Sequence, residues 1–147
     1  MSDGLSIQQL LSQGRHALVR TRGVSMQPLL YEGRSHVIVA PVTGELSPGD
    51  LPLFRTPEGA YVIHRVLRRD GEGYYTRGDN AFAGERVAAE QILGVVVEIH
   101  RKGKTIPVTH RGYRLYARLW PMLHPLWTVV MALRGRLGGA GTGEERQ

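Results

Sequence analysis

A hydroxyl, an imidazole and one or two carboxylates are the groups from which a nucleophile, a general base and an orienting acid are built. The middle of this chain offers all of them. Ser25 stands in Gly23-Val24-Ser25-Met26-Gln27-Pro28, just after a glycine bend and at the start of an expected helical turn over residues 25–30. There its hydroxyl would be presented outward. Its backbone N–H would face an anion-favouring helix start, which is half of an oxyanion hole. The same position also suits an ordinary N-cap serine. His64 lies in Val62-Ile63-His64-Arg65-Val66. It is either a hydrogen-bonded strand residue or a proton carrier suited to neutral pH. Gly78-Asp79-Asn80, with Glu85 beyond it, reads first as a turn whose aspartate accepts hydrogen bonds. An aspartate there could equally hold a histidine in one tautomer. Order along the chain does not decide, because triads are recognised by geometry.

The elements that must position these residues are mostly strands. Ser6 and Gln9 form a capping-box pattern, so a short helix is expected over residues 6–13, ending at Gly14. Alternation over 17–21 and the β-branched run His36-Val37-Ile38-Val39-Ala40 predict strands. Further strands are expected at 51–55, 61–69, 74–76 and 92–99. Ser47-Pro48-Gly49-Asp50, Pro57-Glu58-Gly59, Asp70-Gly71-Glu72-Gly73 and Lys102-Gly103-Lys104 serve as turns between them. Short strands with turn residues between them predict a mainly β fold, a coiled antiparallel sheet or partial barrel, and not a βαβ fold. Residues 1–110 form the expected β domain. Residues 111–137 form a C-terminal helical segment that is apolar and basic, and 138–147 an expected disordered tail.

Composition narrows the chemistry. The 147 residues contain no cysteine, which excludes disulfides, zinc–thiolate sites and cysteine nucleophiles. The six histidines show no metal-ligand spacing, and neither metal nor cofactor is expected. Of 19 Lys and Arg residues only Lys102 and Lys104 are lysine, and both sit in a turn beyond the candidate residues. A solvated, protonated lysine has little reason for the depressed pKa that a base requires. No signal peptide and no run of 18 apolar residues is found. Between Tyr113 and Leu133 the chain is apolar nearly all round and flanked by arginines, which suits either a membrane surface, a partner protein or closure of the core.

Taken together, Ser25-Met26-Gln27-Pro28, the Gly49-Asp50 pair, His64-Arg65-Val66 and Gly78-Asp79-Asn80 resemble the sequence boxes of the type I signal peptidase family. The likeness is to the branch of the endoplasmic reticulum, archaea and sporulating bacteria, which uses histidine where the common bacterial enzymes use lysine. It covers roughly residues 18–100. The resemblance implies the LexA–signal peptidase type of fold and a serine endopeptidase that cleaves a signal or leader peptide, or a small precursor, with small residues flanking the cut. Ser25 would be the nucleophile and His64 the general base. Asp79 and Glu85 are both offered for the third role; the motif favours Asp79, and a glutamate at 85 departs from the family's usual aspartate. Gly23 stands where some relatives carry an oxyanion-hole serine. The family's N-terminal membrane helix has no counterpart in the polar residues before Ser25, so a cytoplasmic or peripherally membrane-associated protein is expected.

Two other classes compete with this reading. A peptide-binding module with the same fold but no turnover would use an open sheet edge. A repressor-type regulator would need a DNA-binding half before the sheet, and the residues preceding the first strand are too few for a helix-turn-helix. No nucleic-acid partner is therefore expected.

Overall fold

The structure, a computed structural model, describes residues 5–138. Helix α1 (Ile7–Ser12) opens it. The expected capping box forms: the Ser6 hydroxyl accepts from the Gln9 N–H and the Gln9 side chain accepts from the Ser6 N–H. Nine strands follow: β1 (Ala17–Arg20), β2 (His36–Ala40), β3 (Pro52–Arg55), β4 (Tyr61–Ile63), β5 (Arg65–Asp70), β6 (Gly73–Arg77), β7 (Glu85–Val87), β8 (Ile92–Arg101) and β9 (Lys104–Pro107). Helix α2 (Arg111–Gly138) closes the described chain.

All pairings are antiparallel. One sheet runs β1-β2-β8-β3-β4, with β9 also on β8; β5, β6 and β7 make a second, smaller sheet. The fold is thus mainly β, with the large sheet curled into a half-barrel. Register shifts between Ile38 and Val39 and between Leu53 and Phe54 insert bulges against β8, and bulges raise local twist. Strand alternation turns Ala17, Val19, Val37 and Val39 inward onto Leu51, Leu53, Val96 and Ile99, the centre of the core.

The alternating stretch at 61–69, expected as one strand, is divided. Residues 61–63 pair with β3 in the large sheet, and residues 65–70 pair with β6 in the small one. His64 is the corner between them. Periodicity is continuous across the corner because both halves are extended, so the change of partner leaves no mark on the pattern.

Helix α2 buries side chains only in its first half. Tyr113 and Ala117 are buried in the core, and His124, further on, is buried between Phe82 and Trp120. The helix runs through Pro121 and Pro125. Pro125 has no N–H for the Pro121 carbonyl four residues back, and the Arg77 guanidinium donates to that carbonyl instead, at 3.4 Å. Among the described residues no helix is long and apolar enough to cross a membrane. Of the tail expected at 138–147, Gly138 ends α2 and the rest lies outside the described residues.

Ile99 is fully buried on β8, paired with Val37 and Ile106. Ile99→Ala should lower unfolding free energy by about 2–5 kcal/mol, read from urea denaturation followed by circular dichroism.

Candidate active site

The nucleophile candidate is shaped by a bend and a tight turn. Gly23 has φ +74°, the left-handed region that glycine occupies without strain. Residues 24–30 then close on themselves, with the Gln27 N–H donating to Val24 O at 3.2 Å and the Leu30 N–H to Met26 O at 2.9 Å. The expected helical turn is a single hydrogen-bonded loop that does not continue as helix. No helix dipole therefore acts on the Ser25 N–H. Met26, Leu29 and Leu30 are buried in the core and anchor the loop, leaving Ser25 half-exposed.

A second loop grips the first. The Asn80 N–H donates to Ser25 O at 2.8 Å, and the Asn80 side-chain amide donates to Val24 O at 3.1 Å. The Asp79 N–H lies 3.4 Å from the Met26 sulfur. The approach requires glycine at 78: a Cβ there would stand 2.5 Å from Ser25 O and 3.2 Å from His64 Nε2. The Gly-Asp-Asn sequence thus holds the serine loop through its backbone.

At the corner between the sheets, His64 Nε2 lies 3.1 Å from Ser25 Oγ. Its Nδ1 lies 2.5 Å from Glu85 Oε1. With Nδ1–H donating to the carboxylate, Nε2 is left as acceptor for the serine hydroxyl. The buried Phe54 ring meets the imidazole edge-on at a centroid distance of 5.9 Å. Glu85 is fixed in turn by Thr76, whose hydroxyl donates to the same Oε1 at 2.7 Å. These two residues are register partners on β6 and β7. Burial pushes the Glu85 carboxyl up, but the hydrogen bonds from His64 and Thr76 and the charge of the imidazole outweigh it. The net direction is below the ordinary value of 4.5.

Asp79, the acid that the motif favoured, is used elsewhere, and this corrects the expectation. Its carboxylate takes the Arg65 guanidinium in a two-pronged pair, Nε–Oδ1 2.8 Å and Nη2–Oδ2 2.9 Å. It also accepts from the Tyr116 hydroxyl at 2.7 Å, while the Trp120 indole donates to its backbone carbonyl at 2.7 Å. The reason is directional. Neighbours on an extended chain point to opposite sides, so His64 faces the cleft and Arg65 faces inward beneath α2. Arg65 is fully buried and must be paired there. Its Nη1 also donates to Gly49 O at 2.9 Å and to the Tyr113 hydroxyl at 3.1 Å. Burial works against the Arg65 charge, yet Asp79 more than compensates and holds the guanidinium protonated. Burial and the Asp79 charge push the Tyr116 phenol up, so it remains a donor.

The structure therefore brings Ser25, His64 and Glu85 together and sets Asp79 behind them with Arg65 and Tyr116. The roles of Arg65, Thr76 and Phe54 were not foreseen. For Arg65 a signal existed: an arginine inside a β-branched run has no solvent to reach and needs an acid. Among the described residues no three His, Asp or Glu side chains cluster in a way that would hold a metal ion.

Beside Ser25 opens a cleft of about 580 Å³. Residues 18–23 line one wall and residues 59–63 the other, with Met26, Leu30 and Leu53 on its floor. The walls include β1 and β4, the two ends of the large sheet's strand order.

No protein-family model, no curated protein and no solved structure matches the chain.

The two acids should separate on mutation. Asp79→Ala leaves the buried Arg65 charge unpaired and should cost about 3–5 kcal/mol of stability by urea denaturation. Glu85→Gln, at a half-exposed site, should cost under about 1 kcal/mol. The pH sign follows from Glu85's depressed value. Its stabilising contribution is complete above 4.5 and is lost as pH falls through the lower folded-state value. Glu85→Gln should therefore flatten the acid side of the stability–pH profile measured by denaturant titration.

Proposed function

We propose that the chain is a serine endopeptidase working by acyl transfer, with Ser25 as nucleophile, His64 as general base and Glu85 as the acid that orients it. The observation that carries this reading is the continuous hydrogen-bonded line Ser25 Oγ–His64 Nε2–His64 Nδ1–Glu85 Oε1 at 3.1 and 2.5 Å. The half-barrel sheet and the order of the sequence boxes support the LexA–signal peptidase type of fold and the Ser/His branch of the type I signal peptidases. Glu85 then takes the third role in place of that branch's usual aspartate.

The substrate is an extended peptide segment, a signal or leader sequence or a small precursor. The unpaired edges of β1 and β4 offer backbone donors and acceptors on both sides of the cleft, which suits pairing with an extended chain. Gly23, Gly59 and Ala60 on the walls leave little side-chain bulk in the way, in keeping with small residues before the cut.

Catalysis proceeds in two halves. His64 Nε2 takes the Ser25 hydroxyl proton as Oγ attacks the scissile carbonyl. The Ser25 N–H donates to the resulting oxyanion, and the imidazolium is held by Glu85. The intermediate collapses when His64 gives its proton to the leaving amine. A water molecule, deprotonated by the same Nε2, then releases the acyl group and restores the serine. Asp79 and Arg65 touch no reacting atom in this scheme. They position the serine loop and the corner that carries His64.

An alkyl fluorophosphonate should label the wild-type chain at Ser25, and an Ala-x-Ala precursor peptide should be cleaved. Ser25→Ala should abolish both. Glu85→Gln should lower kcat by about 10²–10⁴-fold while KM changes little. Equal, negligible labelling and cleavage by the wild type and Ser25→Ala would instead favour a peptide-binding module.

A further inference from the structure

The outer face of α2 has no partner within the described fold. Its inward side carries the buried Tyr113, Ala117 and His124, and Tyr113, Tyr116 and Trp120 hydrogen-bond the Arg65–Asp79 pair. On the opposite side Leu115, Leu119, Met122, Leu126, Leu133 and Leu137 are between 40% and 82% exposed. At 3.6 residues per turn these six fall within an arc of about 60°. Arg111, Arg114, Arg118 and Arg136 lie along one flank of that arc, all exposed. The helix carries no acidic residue. Over residues 125–137 no side chain is buried, and only Trp127, Thr128 and Met131 face the body, across a groove from Gln27, Pro28 and Tyr31.

We propose that this face docks α2 in the plane of an anionic phospholipid bilayer, with the leucine stripe in the acyl boundary and the flanking arginines on the headgroup phosphates. Charge decides the occupant. A second copy laid antiparallel on the same stripe would set arginines against arginines, and in either direction it adds the same cations with no acid on the helix to neutralise them. A bilayer rich in phosphatidylglycerol supplies the complementary sign along the whole flank. Length decides the orientation, since no described helix is long and apolar enough to cross a membrane. The inference stands apart from the active-site chemistry, because none of these residues touches Ser25, His64 or Glu85.

Flotation of the full chain with vesicles tests it, using phosphatidylcholine alone and phosphatidylcholine mixed with phosphatidylglycerol. The wild type should float with the anionic vesicles and release at high salt. Leu126→Glu with Leu133→Glu should weaken partition by on the order of tenfold or more, since each leucine contributes strongly when buried. Arg114→Glu with Arg118→Glu should also weaken it, whereas Lys102→Glu, on the far β8–β9 turn, should not. Circular dichroism and urea denaturation confirm that each variant is folded. Because these side chains are exposed, the native spectrum should persist, and Ser25→Ala should bind vesicles like the wild type. The proposal is overturned if the wild type ignores anionic vesicles or if the leucine variants bind them equally. It is also overturned if the leucine substitutions dissolve a dimer seen by light scattering while vesicles have no effect.

Discussion

Two adjacent side chains that must point in opposite directions organise this molecule. His64 and Arg65 stand where the chain leaves one sheet for the other. Extended geometry sends the imidazole to the cleft and the guanidinium into the interior. The buried cation then dictates what surrounds it: Asp79 in a two-pronged pair, the Tyr113 hydroxyl, the Gly49 carbonyl, and α2 as a lid of aromatic rings. A buried pair of this kind adds little net stability over an apolar replacement, but removing one partner is costly. Its use here is positional. Asp79 belongs to the loop whose Asn80 holds the backbone of Val24 and Ser25, so the pair ties the corner carrying the imidazole to the loop carrying the hydroxyl.

The division of labour between the two acids follows from burial. Asp79 is enclosed and permanently matched to a cation that does not titrate. Glu85 is more open, held by Thr76 and by an imidazole whose charge changes when it accepts a proton. A carboxylate in the second setting can respond to a developing imidazolium. One whose charge is already neutralised by arginine cannot. Placing the matched pair one layer beneath the responsive one keeps the geometry fixed while the charge moves.

Much of this was legible in the residues. The strands at 36–40 and 92–99, the capping box at Ser6 and Gln9 and the coiled antiparallel sheet follow from periodicity and turn chemistry, and the nearness of Ser25 to His64 is what the resemblance of the boxes implied. The third acid did not, because motif identity says which residue type is present and not which way it faces. Direction was decided by Arg65, whose need for a buried partner takes Asp79 away from the histidine. The corner at His64 was hidden because alternation persists across it. The C-terminal helix was legible too; that the Pro121 carbonyl, left without a donor at Pro125, would be served by the distant Arg77 was not.

The most direct test of the central geometry is the tautomer of His64, read from ¹⁵N imidazole shifts of the intact protein at neutral to mildly alkaline pH. With Glu85 behind the ring, the neutral imidazole should carry its proton on Nδ1 and leave Nε2 bare. That preference should survive Ser25→Ala and be lost in Glu85→Gln. A proton found on Nε2 in the wild type, or a tautomer indifferent to Glu85→Gln, would contradict the account.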